Sequence, residues 1–226
     1  MSSKKDEGNL DITESIDKAE HYVQENKKSL SIILGAVVVV ILGYLGYTQL
    51  IVKPQESEAQ KQMFVAEQYF KNDSIDKAIK GDGSFPGFEE IIEKYGSSKQ
   101  ANLAHYYLGV CYLKKGEFEK AIEALSKYDA EDDITGAMAL GCIGDANLEL
   151  GKKDEALSYY RKAVSYDNNQ FTAPVFMMKE AMVLEGNGDW KGAVDVYEKI
   201  KRDYPATTEA REVGTYLARA QTKAGV

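Results

Sequence analysis

The chain has 226 residues, which fits one or two domains, and a formal net charge of −8 from 28 basic and 36 acidic side chains. This acidity argues against a general nucleic-acid binder, which needs a basic face. The two cysteines form no CxxC pair and the two histidines lie 84 positions apart, which disfavours disulfide scaffolds, most metalloenzymes and triad hydrolases. With 44% hydrophobic residues and four prolines, the composition favours a helical fold with a sizeable core.

Residues 1–28 are predicted to form a cytoplasmic tail that contains a short amphipathic helix. Asp11 is placed to cap that helix, with Glu14 three residues later. Apolar residues then recur at helical spacing at Ile12, Ile16, Ala19 and Val23. A partly ordered tail is the alternative interpretation.

Residues 29–52 form a run of 24 residues without a charged side chain. A helix needs about 20 apolar residues to cross a bilayer. A buried helix of a soluble protein is rarely apolar on all sides, as residues 37–42 are, and a signal peptide is disfavoured by the length of the run, the long segment before it and the lack of an A-x-A site. We therefore predict a transmembrane helix, with Tyr44 and Tyr47 near its C-terminal interface.

The lysines that flank this run predict its orientation. Lys18, Lys27 and Lys28 precede it, whereas Lys53 and Lys61 follow it. The excess of basic residues on the N-terminal side favours a cytoplasmic N-terminus.

Small residues on one side of the predicted membrane helix indicate a contact with another membrane helix. Ala36 and Gly43 are seven positions apart, and Gly46 lies on the next turn. Ordinary small-residue content is the alternative, because no GxxxG motif is present.

Beyond Pro54 the sequence repeats itself. Four pairs of small residues are each separated by 12 positions, and successive pairs are shifted by 43, 35 and 37 positions. A period near 34 residues with two helices per unit is typical of tetratricopeptide repeats. We therefore predict an all-α protein, in which a single N-terminal transmembrane helix is followed by a tetratricopeptide α-solenoid with a C-terminal capping helix. The pairs are Ala66 and Ala78, Gly109 and Ala121, Gly144 and Ala156, and Ala181 and Ala193.

Other positions of each unit agree with this register. A large residue is expected three positions after the first small one; Tyr69 and Tyr112 fit, whereas Asn147 and Leu184 depart from the pattern. We expect the helices of one unit to cross most closely where Gly109 faces Ala121, with Tyr112 and Phe118 on either side. A turn residue is expected seven positions after the small one, at Asp73, Gly116, Gly151 and Gly188.

The register predicts a repeat domain over residues 55–226. Its parts are a degenerate repeat over 59–100 with an insertion near 79–88, repeats at about 102–135, 137–172 and 174–207, and a capping helix over 208–224. The insertion contains the loop GDGSFPG at 81–87, which matches no phosphate-binding motif. It is either a displayed contact loop or a tolerated insertion.

No catalytic constellation is present, so we expect no enzymatic activity, no cofactor and no metal. His105 is expected to pack inside the repeat. The acidic segment 129–136 has its glycine two positions late for a calcium loop and is expected to be a solvated turn. Cys111 and Cys142 are expected to be small buried residues; a disulfide between them is the alternative if the domain lies outside the cytoplasm.

First-helix positions predict an apolar groove that binds a peptide or helix. Its methionines suit a pliable binding surface, although some of these residues belong to the inter-helix core in the alternative interpretation. The predicted groove residues are Leu103, Tyr106 and Val110, then Met138 with Gly141 and Asp145, then Val175, Met178 and Met182.

The assembled features resemble the YfgM-like tetratricopeptide proteins of Gram-negative bacteria. The resemblance rests on the tail QENKKSL, the single anchor, and the repeat segments LAHYYLGVCYLKKGEFEKAIEAL, GDANLELGKKDEALSYYRKAV and KIKRDYPATTEA. It implies a non-enzymatic periplasmic repeat domain on the bacterial inner membrane. It also implies an ancillary role at the Sec translocon, with translocon subunits, a PpiD-type anchored prolyl isomerase chaperone, or secreted clients as protein partners.

Two functions remain open at this stage. The first is an interaction scaffold at the secretion channel, and the second is an assembly factor for another envelope complex, such as the cell-wall or outer-membrane machinery. An enzyme subunit is disfavoured by the missing constellations.

Overall fold

The computed structural model describes residues 20–226, which fall into two compact units that divide at Pro54. The tail helix predicted around Asp11 and Ile16 lies outside the described residues, although residues 20–25 are helical. The predicted all-α class is confirmed, because the described residues form helices joined by turns and loops.

The first unit contains one long apolar helix, α1 (Lys27–Tyr47), followed by a π-helical turn over Thr48–Val52. By length and composition this is the one helix among the described residues that is able to cross a membrane. Its side chains are unburied all round, as expected for a lipid-facing surface; Val39 and Val40 are 69% and 70% exposed. The π-helical turn lies just before Pro54, whose missing N–H disturbs the regular ladder.

The second unit, residues 55–226, contains a series of ten helices, the first of which begins at Lys53. They are α2 (Lys53–Lys71), α3 (Ile75–Lys80), α4 (Phe88–Lys94), α5 (Lys99–Lys115), α6 (Phe118–Ser126), α7 (Asp133–Glu149), α8 (Lys153–Tyr166), α9 (Ala173–Gly186), α10 (Trp190–Asp203) and α11 (Thr208–Ala224). Three antiparallel pairs, α5–α6, α7–α8 and α9–α10, form the regular repeats, and α11 packs on the last pair. We call α5, α7 and α9 the A helices, and α6, α8 and α10 the B helices.

The turns between paired helices occur where the sequence predicted them. Asp73, Gly116, Gly151 and Gly188 all have left-handed backbone angles, with φ of 54°, 76°, 74° and 79°. Glycine adopts this conformation without steric cost, which explains why three of the four positions carry it.

Polar caps fix where several helices begin. The side chains of Ser98, Asp132, Asp189 and Thr207 each accept a hydrogen bond from a backbone N–H three residues later. These bonds satisfy amide groups that have no partner within the helix.

The B-helix residue that Gly109 contacts is not the one predicted. A Cβ atom on Gly109 would overlap the side chain of Leu125, which lies one turn beyond Ala121. The same relation holds in the next repeat, where a Cβ on Gly144 would overlap the ring of Tyr160. The small A-helix residue is therefore a socket for the large B-helix residue 16 positions later, because antiparallel helices offset the contact by a turn.

The core of the second unit divides into three clusters along the series. One contains buried residues of α2–α6, one contains those of α7–α11, and a small third cluster joins them through Leu125, Ala139, Cys142 and Ile143. Each repeat thus buries its apolar face against its neighbours, as solenoids do.

The irregular first repeat has its second helix split into α3 and α4 by residues 81–87. This loop is fixed by its own contacts: the Asp82 carboxylate accepts hydrogen bonds from the backbone N–H groups of Ser84 and Phe85 and from the Tyr69 hydroxyl at 2.7 Å. Phe85 is 46% exposed. The insertion is therefore a structured loop that presents one aromatic side chain.

Candidate partner-binding groove

The predicted groove residues lie on the three A helices and differ in exposure. Met182 is 42% exposed, Met178 is only 9% exposed, and the remaining residues are half-buried. The half-buried residues are Leu103, Tyr106, Val110, Met138 and Val175. Their role in partner binding stays a prediction.

Tyr106 lies on the predicted groove face and packs against two other tyrosines. Its ring lies 5.6 Å from that of Tyr107 and 5.5 Å from that of Tyr128. Burial raises the pKa of Tyr106 to about 12, so its hydroxyl stays protonated at neutral pH. Val110 borders the same cluster, the one that connects α5 to α7.

Two residues predicted from the repeat register do not line an open groove. Met178 belongs to the core cluster of α7–α11. Gly141 is buried, because the ring of Phe176 occupies the space where its Cβ would stand. This contact holds α7 close to α9, and it replaces a groove position with an inter-helix contact.

An apolar cavity of about 260 Å³ opens between α7 and α9. The exposed Met182 and the groove residue Asp145 both line it, so the structure brings these two predicted residues together. The other apolar lining residues are Leu148, Tyr160, Val183 and Gly186. Two lysines, Lys153 and Lys179, also line the cavity.

Asp145 is held by a network that spans the two A helices. The Lys179 ammonium group lies 2.6 Å from both of its carboxylate oxygens, and the Tyr160 hydroxyl donates a hydrogen bond to it at 2.8 Å. The ammonium group also lies over the rings of Tyr160 and Phe176. Burial is the main cause that raises the pKa of Tyr160, followed by the nearby Asp145 charge. The charges of Asp145 and Lys179 thus neutralise each other, whereas Lys153 donates a hydrogen bond to the Gly186 carbonyl at 3.2 Å.

The sequence analysis did not predict that Lys179, Tyr160 and Leu148 line this cavity. Lys179 follows Asp145 by 34 positions, three fewer than the shift of 37 between these two repeats, so it lies about one helical turn before the position equivalent to Asp145. Arg219 follows Glu185 by the same interval and forms an ion pair with it. Opposite charges 34 positions apart on α7, α9 and α11 are therefore side chains that meet between neighbouring helix pairs.

The two cysteines and His105 lie in the interior of the repeats. Cys111 and Cys142 are free and buried, and burial raises their pKa values to about 12 and 11. Burial and the nearby Lys127 lower the pKa of His105, which is half-buried in the repeat. Among residues 20–226 there is no group of three or more His, Cys, Asp or Glu side chains placed to hold a metal ion.

The predicted membrane contact face lies on α1. Gly43 has open space where a Cβ would stand, and so has Gly46; Ala36 is exposed. Contact of this face with another helix remains a prediction.

Comparison with protein families identifies three repeats. Models described as tetratricopeptide repeat match residues 103–128, 140–170 and 176–207. These ranges fall on the pairs α5–α6, α7–α8 and α9–α10.

Curated relatives share part of their length with this chain. Tetratricopeptide repeat protein 29 of Macaca fascicularis is 28% identical over 42% of this chain and 21% of its own length. A TPR repeat-containing protein of Methanocaldococcus jannaschii is 28% identical over 51% of this chain and 22% of its own. The uncharacterized protein ycf37 of Guillardia theta is 28% identical over 49% of this chain and 62% of its own. The chain thus spans about a fifth of the length of the first two.

Solved structures share the fold. The crystal structure of MamA matches with a TM-score of 0.57 and 19% identity over 74% of this chain and 82% of that one. A putative kinesin light chain of Podosopora anserina with TPR-like repeats matches with a TM-score of 0.59 and 16% identity over 75% and 88%. The chain thus contains three tetratricopeptide repeats within residues 103–207, and repeats of this class form protein-interaction scaffolds.

Proposed function

We propose that this chain is a membrane-anchored scaffold that binds a polypeptide partner along its A-helix face. The observation that carries the proposal is the apolar cavity between α7 and α9, with Met182 exposed beside it. The three A helices support the same function, because each contains a stretch without charged residues, over 100–113, 134–144 and 173–178. A face of this kind favours an apolar segment, since burying an unpaired charge against it is costly.

The chemistry of the face suits an adaptable partner. Methionine is flexible and polarisable and fits varied apolar side chains. Asp145 and Lys179 neutralise each other at the cavity, and Lys153 is the one lining charge without an acidic partner, so the contact depends mainly on shape and apolar area. Interfaces of this kind concentrate their affinity in a few central side chains.

The location follows from α1 and from the family resemblance. Lys27 and Lys28 at the N-terminal end of α1 favour a cytoplasmic N-terminus, which puts the repeats in the periplasm of a Gram-negative cell. The resemblance to YfgM-like proteins points to the Sec translocon and its PpiD-type chaperone as partners. Protease added to intact spheroplasts should then digest residues 55–226. Protection until lysis would reverse this orientation.

Site-specific crosslinking tests the partner. A photoreactive amino acid at Met182 should capture translocon subunits or an anchored prolyl isomerase in a Gram-negative host. The matched position is Ser158, which is exposed on the B helix α8. Capture of an outer-membrane assembly complex instead would favour the alternative envelope function. Equal products from both positions would contradict the use of the A-helix face.

Replacing groove side chains tests their contribution. The triple change of Tyr106, Met138 and Met182 to Ser should weaken partner binding at least about a hundredfold, because hot-spot residues contribute roughly 2 kcal/mol each and 1.4 kcal/mol is tenfold. Met178 is not suitable for this test because it is buried. Circular dichroism must show an unchanged helical content; a folded variant that keeps its affinity would place binding elsewhere.

A further inference from the structure

The first regular repeat, α5–α6, differs from the other two in the length of its B helix. Helix α6 has 9 residues, whereas α8 and α10 have 14 each. At a rise of about 1.5 Å per residue, α6 is roughly 7.5 Å shorter than its counterparts. The shorter α6 therefore leaves part of the side of α7 that faces the B helices uncovered.

The gap is held open by specific hydrogen bonds. After Ser126 the chain turns towards α5, where the Asn102 carboxamide donates to the Asp129 carbonyl at 2.6 Å and accepts from the Asp129 N–H at 2.8 Å. Tyr128 is fixed in the same way, because its hydroxyl lies 2.6 Å from that of Thr135 on α7. The gap is thus a preformed feature of this repeat.

The result is a groove of about 400 Å³ between α6, α7 and α8. Three tyrosines line it together with aliphatic side chains of α7. Two charged residues of opposite sign line it, Asp129 and Lys162, so the lining has no net charge. Its main apolar walls are Tyr128, Tyr159, Tyr166, Leu140 and Ile143.

The tyrosines of α8 are regularly placed. Tyr159 and Tyr166 are seven residues apart, so they lie on one face of α8 at a separation of about 10.5 Å along its axis. The Tyr166 ring lies against the backbone of Gly136, and 45% of Tyr166 is exposed. The Lys162 ammonium group lies 4.5 Å from the centre of the Tyr159 ring, an exposed contact that a ligand can displace.

We propose that this groove binds a proline-rich segment of a partner protein in the polyproline II conformation. Such a segment completes a turn in about 9.3 Å, close to the spacing of the two α8 tyrosines. Its backbone carbonyls have no internal partners, so tyrosine hydroxyls can donate to them while the rings pack on proline. Because Asp129 and Lys162 leave the groove lining without net charge, the groove suits a ligand without charged side chains. An α-helical ligand uses the hydroxyls less well, because its backbone groups are already paired.

Peptide binding to the full chain in lipid nanodiscs tests this proposal. The probes are a fluorescein-labelled peptide of repeated Pro-Pro-Leu triplets and an alanine-rich helical peptide with the same number of leucines. Fluorescence anisotropy should show that the proline peptide binds more tightly. Changing Tyr159 and Tyr166 together to Ala should weaken it at least about tenfold, since stacked aromatic contacts and their hydrogen bonds together reach about 1.4 kcal/mol.

Two further variants keep the test decisive. The double change to Phe keeps both rings and the fold, and should give a smaller loss because only the hydroxyls are removed. The change Met182→Ser on the A-helix face should leave proline-peptide affinity unchanged, which separates this groove from the one in the proposed function. Tighter binding of the helical peptide, or undiminished binding of the proline peptide by the Ala variant, would overturn the proposal.

Discussion

At the scale of single residues, glycine acts in this protein as a socket for large side chains. Gly109 receives Leu125, Gly144 receives Tyr160 and Gly141 receives Phe176. The first two contacts join the helices of one repeat, and the third joins neighbouring repeats. A methyl group at any of them would have to displace a buried side chain in a densely packed core.

A pair of glycine substitutions tests this interpretation. Gly109→Ala should lower the free energy of unfolding by about 1–3 kcal/mol, because the added methyl overpacks against Leu125. Gly214→Ala is the matched control: Gly214 lies inside α11 with open space around it, so alanine should stabilise by about 0.5–1 kcal/mol. Urea unfolding in detergent micelles, followed by the fluorescence of the single tryptophan, measures both. A stabilised Gly109→Ala protein would show that the two helices do not approach closely here.

The inserted loop has a residue-scale prediction of its own. The Tyr69 hydroxyl and the N–H groups of Phe85 and Ser84 lower the pKa of Asp82 to about 2. Because the pKa is depressed in the folded state, the contribution of these bonds is complete above the ordinary carboxyl range and is lost as the pH falls towards 2. Tyr69→Phe should raise the pKa of Asp82, as measured by carboxyl-carbon NMR titration. An unchanged value would mean that the hydroxyl does not reach the carboxylate in solution.

At the scale of helices, the repeat period aligns side chains of neighbouring A helices. Asp145 of α7 bonds to Lys179 of α9, and Glu185 of α9 bonds to Arg219 of α11. Such pairs fix the stacking of one repeat on the next. Their contribution to stability depends on how far they are shielded from water.

A double-mutant cycle measures this contribution. Changing Asp145 and Lys179 to Ala, singly and together, should give a coupling energy of about 0.5–1 kcal/mol, since the pair is partly shielded and charge-assisted. The pair of Lys99 and Glu131 serves as the control, because its side chains are 72% and 54% exposed. Its coupling should stay below about 0.5 kcal/mol and fall further in high salt. Equal couplings would show that shielding at α7 and α9 has no effect.

At the scale of the whole repeat unit, stability depends on neighbours rather than on a central core. The clusters of α2–α6 and α7–α11 are joined by a small group that includes Leu125 and Ile143. Helix α11 closes one end, where Val213, Leu217 and Ala220 are buried. Its other face is polar, as a capping helix requires.

Removal of the cap tests this dependence. A chain that ends at Pro205 loses the burial of Val213 and Leu217, and should lose about 3 kcal/mol or more of stability, since each buried aliphatic side chain contributes roughly 1.5–3 kcal/mol. The exposed apolar surface should also cause self-association, visible by size-exclusion chromatography. A chain that ends at Ala224 is the control and should behave as the full chain does. A stable monomer after removal of α11 would contradict the capping role.

The sequence by itself determined the class of fold and most of its register. The run of 29–52 has no charged residue and is mostly aliphatic, which predicts a helix long enough to cross a membrane. The 12-residue spacing of small residues and the turn positions Asp73, Gly116, Gly151 and Gly188 reflect local geometry, which repeats wherever the chain repeats. Such local spacings can be read from the sequence without knowing which helices pack together.

The tertiary structure decided which side chains meet. Met178 and Gly141 fit the groove register, yet Phe176 and the packing of α7 against α9 bury them. The partner of Gly109 is Leu125, because antiparallel packing shifts the contact by one turn from Ala121. The open groove beside α6 depends on the bonds between Asn102 and Asp129, residues 27 positions apart that no periodic pattern connects. Contacts between distant residues are set by how whole helices stack, and the spacing of residues along one helix does not contain that information.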